Sequence, residues 1–344
     1  MAILFCDGFD GYAATADLTK KWVAADASWA WVANQGRKGR GAIVGGSGDA
    51  NLLTSPGGWN ASALAIGFYL KVMSRPTGIQ ELVLFQPATD ITDTEQNLRL
   101  DVHPVSGSVR MYFPGVPGVE LGGTVNVCDN QFHWVEVLTG IGTGAVHKLW
   151  IDNAYQNELT VDIPASYGNI DHIQISTLGT VISIIDDLIV YNNTAPAPIL
   201  SATPLGSREI TTLRPSGDAA VQFMRSSGSV NSALVADVAA DEDATYVEDG
   251  VSGHQDLYNF VDLAIAPQNI TAVVVNSRVK NGGPVGSVSF SEICKSGTNQ
   301  AEASAVAAPA NYKTFQHSFS VDPQTSLPWT ITGFNAATFG IKVA

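Results

Sequence analysis

The sequence predicts an all-β protein made of two β-sandwich domains, and three observations support this. The chain has 344 residues, which is more than a single hydrophobic core usually organises. It contains 33 glycines and only 15% charged residues, a composition typical of short strands joined by tight turns. Its apolar residues alternate with polar ones in many short segments, and no long segment has a convincing helical spacing.

The clearest element is a hairpin predicted over residues 131–152. In its first arm Trp134 and Glu136 fall on one face of the strand, whereas Val135 and Val137 fall on the other. A glycine-rich segment separates this arm from a second apolar arm, which alternates in the same way and ends at an Asp-Asn turn. The rest of the first domain is expected to supply partners for this hairpin.

Segments before the hairpin predict further strands. An Arg-Pro-Thr-Gly turn separates the first two segments, which predicts an adjacent strand pair, and Ser-Gly separates the last two, which predicts another hairpin. Residues 114–123 are rich in Pro and Gly and are expected to form a loop. The four predicted strands are residues 62–72, 80–86, 97–103 and 108–113.

The segment 97–103 predicts a half-buried strand. Its two leucines and its valine point one way, and Arg99, Asp101 and His103 point the other way. Two interpretations of this polar face stay open. It lines a binding surface, or it simply meets water.

The hairpin, with its Trp-Val-x-Val arm and its Leu-x-Ile-Asp-Asn arm, resembles that of laminin-G/concanavalin A-like jelly rolls. Residues 3–12 and 182–192 resemble the first and last strands of that family, which lie beside each other. The resemblance covers residues 1–193 and implies two antiparallel sheets packed face to face. It implies little about ligand, because such domains serve as lectins, hydrolases, lyases and structural modules.

A linker and a second domain are expected to follow. Residues 194–207 contain three prolines and little charge, which predicts a short extended linker. Residues 208–344 alternate again and predict a second, smaller β sandwich.

The second domain resembles a module found at the C terminus of tailed-phage virion proteins, where it often follows a laminin-G-like jelly roll. Residues 210–223, 240–249, 253–260 and the tail from Tyr312 carry this resemblance. It implies a capsid decoration, a spike or a tail-associated subunit that assembles with other virion proteins. Such a protein is made in the cytoplasm of the host bacterium and displayed on the particle surface.

Charge and hydropathy exclude some classes of partner. The net charge is −14, which repels nucleic acid, and no basic stripe offsets it. No apolar run approaches the ~20 residues of a membrane helix, and the N terminus lacks a signal-peptide pattern. We therefore expect neither a nucleic-acid nor a membrane partner. Cys6, Cys128 and Cys294 lie far apart and are expected to be small buried side chains.

The jelly-roll resemblance implies one possible metal site. In that family a calcium ion often lies where the first strand meets the last, and here Asp7 and Asp10 would face Asp186 or Asp187. The alternative is that Asp186 caps a turn and Asp187 is solvated. No other cofactor is expected. Acids within residues 90–95 are spaced like ligands of a hard cation, but the glycine and glutamate of an EF-hand loop are missing.

Four tryptophans are candidates for stacking on a glycan. Trp22, Trp29, Trp31 and Trp59 lie in the first domain, where aromatic side chains form either a sugar platform or the edge of a core. The spacing of Trp29 and Trp31 puts both rings on one strand face, which favours the core.

The sequence lacks the patterns that carry catalysis. The first domain has no Glu-x-Asp-x-Glu string for paired carboxylates, and the chain has no GxSxG elbow or phosphate-binding loop. These absences predict that the protein is not an enzyme.

Three functions remain from these observations, and the third, a polysaccharide-degrading enzyme, is disfavoured because the carboxylate pair is missing. The first is a structural virion protein that forms homo-oligomers through apolar residues near the C terminus, namely Trp329, Phe334 and Phe339. The alternative is an adhesin that binds a glycan on the host cell surface.

Overall fold

The computed structural model describes residues 2–46, 52–89, 98–116, 119–179, 181–192, 204–263, 269–283 and 288–344. The chain divides into two compact units, Met1–Thr211 and Thr212–Ala344. Antiparallel strands dominate both units, so the all-β prediction is confirmed. In the described part of the chain no helix has the length and apolar character needed to cross a bilayer.

The first unit is a β sandwich of two antiparallel sheets. One sheet has eight strands in the order β13-β12-β11-β6-β15-β4-β3, with β1 also paired to β15, and the other has the order β10-β9-β8-β7-β14-β5-β2. Apolar side chains from both sheets meet in one buried core. The strands are β1 Ala2–Asp7, β2 Ala24–Ala25, β3 Trp29–Val32, β4 Ala42–Gly45, β5 Leu52–Thr54, β6 Ala63–Val72, β7 Gln80–Gln86, β8 Leu98–Val102, β9 Val109–Tyr112, β10 Glu120–Gly122, β11 Phe132–Gly140, β12 Gly142–Ile151, β13 Ala154–Ile163, β14 His172–Ser176 and β15 Ser183–Asn192.

The predicted hairpin is present as β11 and β12. Val137 pairs with Leu149, and both side chains lie in the core, as the alternation requires. The first and last strands are also neighbours, since β1 pairs with β15 and Cys6 lies opposite Ile189. The pairing of β1 with β15 therefore places the two ends of the domain side by side in the eight-stranded sheet.

Two local predictions are wrong. β6 and β7 do not pair, because β6 lies between β11 and β15 in one sheet while β7 lies between β8 and β14 in the other. The turn between them carries the chain from sheet to sheet. The predicted loop over residues 114–123 contains a short strand, β10, which pairs with β9.

The end of the first unit lies against the outer face of the eight-stranded sheet. We call residues 204–211 the strap. The backbone N–H groups of Leu205 and Gly206 donate to the carboxylate of Glu136 at 2.6 and 2.9 Å. Further along, the N–H of Ile210 donates to Asp187 Oδ1 at 2.8 Å. Of the predicted linker, residues 194–203 lie outside the described residues, and residues 204–207 belong to the strap and hence to the first unit.

The second unit contains a six-stranded sheet and two ribbons. The sheet has the order β16-β19-β25-β21-β22, with β23 also paired to β21, and the ribbons are β17-β18 and β20-β24. A single α-helix of five residues, α1 Ile331–Asn335, lies in the described part of this unit. The strands are β16 Pro215–Ala220, β17 Met224–Arg225, β18 Val247–Glu248, β19 Gln255–Phe260, β20 Val273–Val279, β21 Ser289–Ser296, β22 Asn299–Glu302, β23 Val306–Ala307, β24 Lys313–Phe319 and β25 Thr338–Val343.

The residues predicted to make oligomer contacts lie inside this unit. Trp329, Phe334 and Phe339 are 3%, 8% and 3% exposed and form one core cluster with Phe319 and Cys294. The indole N–H of Trp329 donates to the Phe319 carbonyl at 2.8 Å. The prediction that these three side chains contact another copy is therefore wrong, because they fill the core of their own unit.

Candidate functional site

The outward face of the seven-stranded sheet carries a row of polar side chains. Strand register places Glu120 beside Tyr112, Tyr112 beside Arg99, and Arg99 beside Leu84, which in turn lies beside Gln174. Paired residues in antiparallel strands put their side chains on the same face, so the row is continuous across the sheet. We call this surface the polar face; its polar members are Thr54, Glu81, Gln86, Arg99, Asp101, Arg110, Tyr112, Glu120, His172 and Gln174.

The alternation predicted for β8 produces the centre of this face. Leu98 and Leu100 point into the core, whereas Arg99 and Asp101 point to the other side. Arg99 and Asp101 are only 8% and 1% exposed, so this face does not simply meet water. It is an ordered network in which neighbouring side chains hold one another.

Arg99 is the centre of that network. Its Nε lies 3.0 and 3.2 Å from the two carboxylate oxygens of Asp101 and 3.6 Å from Glu81 Oε1. Its guanidinium carbon lies 4.5 Å from the centroid of the Tyr112 ring. The two acids and the ring fix the guanidinium plane, and Tyr112 itself remains half-buried at the surface.

The two carboxyl groups beside Arg99 have raised pKa values. Burial raises the pKa of Asp101 to about 7, with Arg99 opposing the shift and the charge of Glu81 adding to it. Burial also raises the pKa of Glu81, again against the effect of Arg99. A carboxyl group whose pKa lies near 7 is partly protonated at neutral pH, so the charge of the polar face changes across the neutral range.

Amide and imidazole groups continue the face beyond Arg99. Gln86 Nε2 donates to Gln174 Oε1 at 3.1 Å, and His172 pairs with Gln86 in the strand register. Nδ1 of His172 lies 3.4 Å from the Asp171 carboxylate. Gln86, His172 and Gln174 were not assigned to a site in the sequence analysis. The alternation of His172 and Gln174 with the buried Ile173 would have placed them on a polar face.

A cleft of about 370 Å³ lies where this row ends. Pro87, which follows Gln86, and Asp171, which precedes His172, both line it. The polar face and the cleft are therefore adjacent along two strands. Together they form the candidate site.

The four predicted stacking tryptophans differ in their accessibility. Trp22 and Trp29 are 1% and 0% exposed, so the prediction that they stack on a glycan is wrong. Trp31 is half-buried on β3, where its indole N–H donates to the Phe9 carbonyl at 2.7 Å. Trp59 is half-buried beside the cleft, and its backbone N–H donates to the Asp171 carbonyl at 3.2 Å. For Trp31 and Trp59 stacking stays a prediction.

Asp7, the first predicted calcium ligand, is enclosed by donors. Its carboxylate accepts hydrogen bonds from the Tyr12 hydroxyl, from Trp22 Nε1 at 2.9 Å and from the Phe9 N–H at 2.9 Å. Lys21 Nζ lies 3.3 Å away. This charge is balanced within the core and is not available to a cation.

Asp186 and Asp187 are also bound by donors. Asp186 accepts hydrogen bonds from the backbone N–H of Arg37 at 2.7 Å and of Asp187 at 2.8 Å. Asp187 accepts one from the Ile210 N–H and lies 3.1 Å from Arg37 Nη1. Burial raises the pKa of Asp186 to about 7 and that of Asp187 to about 6, although these donors oppose the shifts.

The calcium site predicted over Asp7, Asp10, Asp186 and Asp187 is therefore not formed. Asp10 lies 3.7 Å from Arg40, so basic and N–H groups stand where a cation would have to stand. Within the described residues, no group of three or more His, Cys, Asp or Glu side chains could hold a metal ion. The acids predicted over residues 90–95 lie outside the described residues.

Comparison with known proteins gives a fold likeness and no family. No protein-family model and no curated protein matches the chain. Among solved structures it is similar to the binding domain of Paraclostridial Mosquitocidal Protein 1, at 11% identity and a TM-score of 0.37, over 49% of this chain and 43% of that one.

Two enzymes share the likeness. The chain is similar to an endo-beta-1,4-glucuronan lyase from the fungus Trichoderma reesei, at 14% identity and a TM-score of 0.42, over 55% of this chain and 94% of that one. It is also similar to a carbohydrate esterase from the Shiga toxin-encoding bacteriophage phi24B, at 17% identity and a TM-score of 0.37, over 51% and 91%. None of the three likenesses identifies this protein.

The comparison corrects one prediction. The sequence-based prediction that the protein is not an enzyme is wrong on this finding, because a lyase and an esterase are among the solved structures that the chain resembles. The lack of a catalytic motif in the sequence is no ground for excluding enzymatic activity.

Proposed function

We propose that the first unit binds carbohydrate along the polar face and the adjoining cleft. The observation that carries this proposal is the fixed position of the Arg99 guanidinium, held between Asp101, Glu81 and the Tyr112 ring. A binding group that is already immobilised loses little conformational entropy when a ligand arrives.

The chemistry of the face suits a sugar. Sugar hydroxyls are arranged in neighbouring pairs, which match the planar, two-point hydrogen bonding of guanidinium groups such as those of Arg99 and the half-buried Arg110. The apolar face of a sugar ring packs against an aromatic side chain, and Tyr112 supplies one at the surface. A few convergent polar groups beside an aromatic ring are typical of small-molecule sites.

Other ligand classes fit less well. The net charge of −14 opposes nucleic acid, and most side chains of the polar face are charged groups or amides, which do not suit a lipid chain.

Calorimetry with the full-length protein tests this proposal. Neutral and acidic oligosaccharides are titrated, and the same mixtures are analysed by mass spectrometry for cleaved or de-esterified products. We expect binding that Arg99→Gln weakens by about tenfold or more, since a charged hydrogen-bonding group is lost. Lys148→Gln serves as the control, because Lys148 lies on the eight-stranded sheet and pairs with Glu158 there.

Two results would overturn the proposal. The first is that no oligosaccharide binds. The second is binding that Arg99→Gln and Lys148→Gln leave equally unchanged while both variants unfold like the natural chain.

A second proposal concerns the second unit, which we infer attaches the protein to a tailed-phage virion as a homo-oligomer. The motifs that resemble the virion module support it, because two of them meet in one structure. The N–H groups of Gln222 and Phe223, in the first motif, donate to Asp256 Oδ1 at 2.7 and 2.9 Å, and Asp256 belongs to the motif over residues 253–260. A carbohydrate-binding first unit would then be displayed on the particle surface, where a host glycan is its partner.

Light scattering and particle binding test this second proposal. We expect the full-length chain to elute as a single oligomer and to co-sediment with virions that lack it. A monomer that does not bind such particles would contradict the virion role and would leave carbohydrate binding to be judged on its own test.

A further inference from the structure

The cleft beside the polar face has its own chemistry, and the inference drawn from it rests on the proposed carbohydrate binding. Its volume of about 370 Å³ falls at the lower end of the range for small-molecule sites. Its walls come from the end of β7, from the 3-10 helix Ala165–Tyr167 and from the loop that follows this helix. The cleft is open to solvent on one side, where Ala88 and Thr89 are exposed.

The walls of the cleft are fixed by buried hydrogen bonds. The Tyr167 hydroxyl donates to the Phe85 carbonyl and accepts from the Leu98 N–H at 3.1 Å, so its ring is locked in one position. Ala61 and Ile170 exchange backbone hydrogen bonds of 2.8 Å in both directions, which ties the two rims together. The site is therefore formed before a ligand arrives.

Polar groups without a positive charge converge on this cleft. Asn169 Nδ2 donates to Asn60 Oδ1 at 3.0 Å and to the Asn60 carbonyl at 3.4 Å, which leaves Asn169 Oδ1 to accept and Asn60 Nδ2 to donate. Asp171 accepts from the Gly58 N–H at 2.9 Å through one carboxylate oxygen and turns the other towards His172. Hydroxyl groups of Ser166 and Thr89 also line the cleft.

The charge of the residues that line the cleft favours neutral sugars over acidic ones. Asp171 is the charged residue among the described residues that line the cleft, and none of these is Lys or Arg. A carboxylate in such a site accepts hydrogen bonds from sugar hydroxyls, and it repels a uronate, a sialic acid or a sulfate. The polar face differs, since Arg99 and Arg110 lie on it. We propose that the cleft is a subsite for one neutral sugar residue, recognised through its hydroxyl groups by Asp171 and the Asn60–Asn169 pair.

Two variants of the full-length chain isolate the cleft. Ala88→Trp fills the open side of the cleft and removes no hydrogen-bonding side chain. Asp171→Asn keeps an acceptor for Gly58 and removes the negative charge. Ala154→Trp is the matched control, because Ala154 is an exposed alanine at the start of β13 in the other sheet. Thermal unfolding of each variant confirms that the fold is kept.

Calorimetry compares neutral oligosaccharides, built from glucose, galactose or mannose, with oligosaccharides of alginate and polygalacturonate. We expect a neutral oligosaccharide to bind, Ala88→Trp to weaken it by about tenfold or more, and Ala154→Trp to leave it unchanged. Asp171→Asn is expected to weaken neutral ligands and to improve the relative affinity for acidic ones, since the repulsion is removed.

The outcomes separate this inference from the proposal beneath it. If only acidic oligosaccharides bind, with sensitivity to Arg99→Gln and none to Ala88→Trp, the neutral subsite is wrong and carbohydrate binding stands. If neutral ligands bind equally to Ala88→Trp and to the natural chain, the subsite is also wrong. If neither the neutral nor the acidic oligosaccharides bind, both the neutral subsite and the proposed carbohydrate binding are wrong.

Discussion

The two outer faces of the sandwich both carry buried carboxylates, but they are satisfied in different ways. On the eight-stranded sheet, Glu136 accepts hydrogen bonds from Trp134 Nε1 at 3.0 Å, from the Tyr191 hydroxyl, and from two backbone N–H groups of the strap. On the seven-stranded sheet, the hydrogen bonds to Asp101 in the described part of the chain come from Arg99.

The two faces differ in which part of the chain holds their buried carboxylates. Where the chain's own strap supplies the donors, the carboxylate has four partners and the face is occupied. On the seven-stranded sheet both hydrogen bonds to Asp101 come from the one side chain of Arg99, whose guanidinium also lies against the half-buried Tyr112 ring. This difference supports the proposal that the second face binds a ligand, whereas the first face is covered by the strap.

The largest expected effect comes from Glu136→Gln. A glutamine keeps the shape of the side chain, but its amide N–H group would point at an N–H donor of the strap or a neighbour, which leaves a buried donor unpaired. We expect the free energy of unfolding to fall by about 3 kcal/mol in urea titrations of the full-length chain.

Glu158→Gln is the matched control for this change. Glu158 lies on the exposed edge strand β13, where it pairs with Lys148 at 2.9 Å, and removing such a surface ion pair costs about 0–1 kcal/mol. Equal effects of the two substitutions would mean that the strap does not depend on Glu136.

A second prediction concerns the pH dependence that Asp101 imposes. Its pKa is about 7 in the folded chain, against 3.8 for an aspartate exposed to water as in the unfolded chain, so the folded state binds more protons between these values. The stability that this group contributes is therefore fully present below pH 4 and is lost as the pH rises towards 7, by about 2 kcal/mol between pH 5 and pH 7. The variant Asp101→Asn cannot ionise at this position, so it does not lose this stability as the pH rises.

Urea titrations between pH 5 and pH 8 measure this difference. We expect Asp101→Asn to gain stability relative to the natural chain as the pH rises across this range. Asp26→Asn, a substitution of the same type at an exposed position, is the matched control. Parallel curves for Asp101→Asn and the natural chain would show that Asp101 is ionised well below neutral pH.

A third prediction tests the packing of the strap. A Cβ atom added to Gly8 would lie 2.9 Å from both Cβ and Cγ2 of Ile210, which is closer than carbon atoms approach. We expect Gly8→Ala to destabilise the chain by about 1–3 kcal/mol. A double-mutant cycle with Ile210→Gly, which removes both of these carbon atoms, should recover much of this cost, and additive effects would place the strap elsewhere.

The smallest expected effect is on affinity and concerns Tyr112. Tyr112→Ala removes the ring that a sugar would pack against and one wall of the guanidinium site, so we expect carbohydrate binding to weaken by about 1 kcal/mol, roughly fivefold. Tyr155→Ala, 57% exposed on β13, should leave affinity unchanged. Calorimetry of both variants checks this, and a loss in Tyr155→Ala alone would move the site to the other sheet.

Strand alternation predicted much of the fold. It placed Trp134 and Val135 on opposite faces of β11, and the similarity of residues 3–12 and 182–192 to terminal strands correctly paired β1 with β15. It failed where the answer depends on the partner sheet. β6 and β7 are consecutive in the sequence, yet nothing local shows that the turn between them changes sheets.

The site was predicted only in part. Alternation put Arg99 and Asp101 on one face, but Gln86 and Gln174 are 88 residues apart and meet only after both strands join the same sheet. The presence of a tryptophan did not identify a sugar-binding position, because a residue such as Trp22 has the same side chain whether it stacks on a sugar or packs on Phe9. Its burial is decided by contacts that a single sequence does not show.

The strap has a consequence for the order in which the chain can fold during synthesis. Glu136 lies 69 residues before Leu205, so its buried carboxylate cannot acquire all its donors until the ribosome has made and released the strap. Until then the Glu136 carboxylate has the donors of Trp134 and Tyr191 but lacks the two N–H donors of the strap. Completion of the first unit therefore coincides with the start of synthesis of the second, and a polypeptide that stops at residue 192 should remain dependent on chaperones.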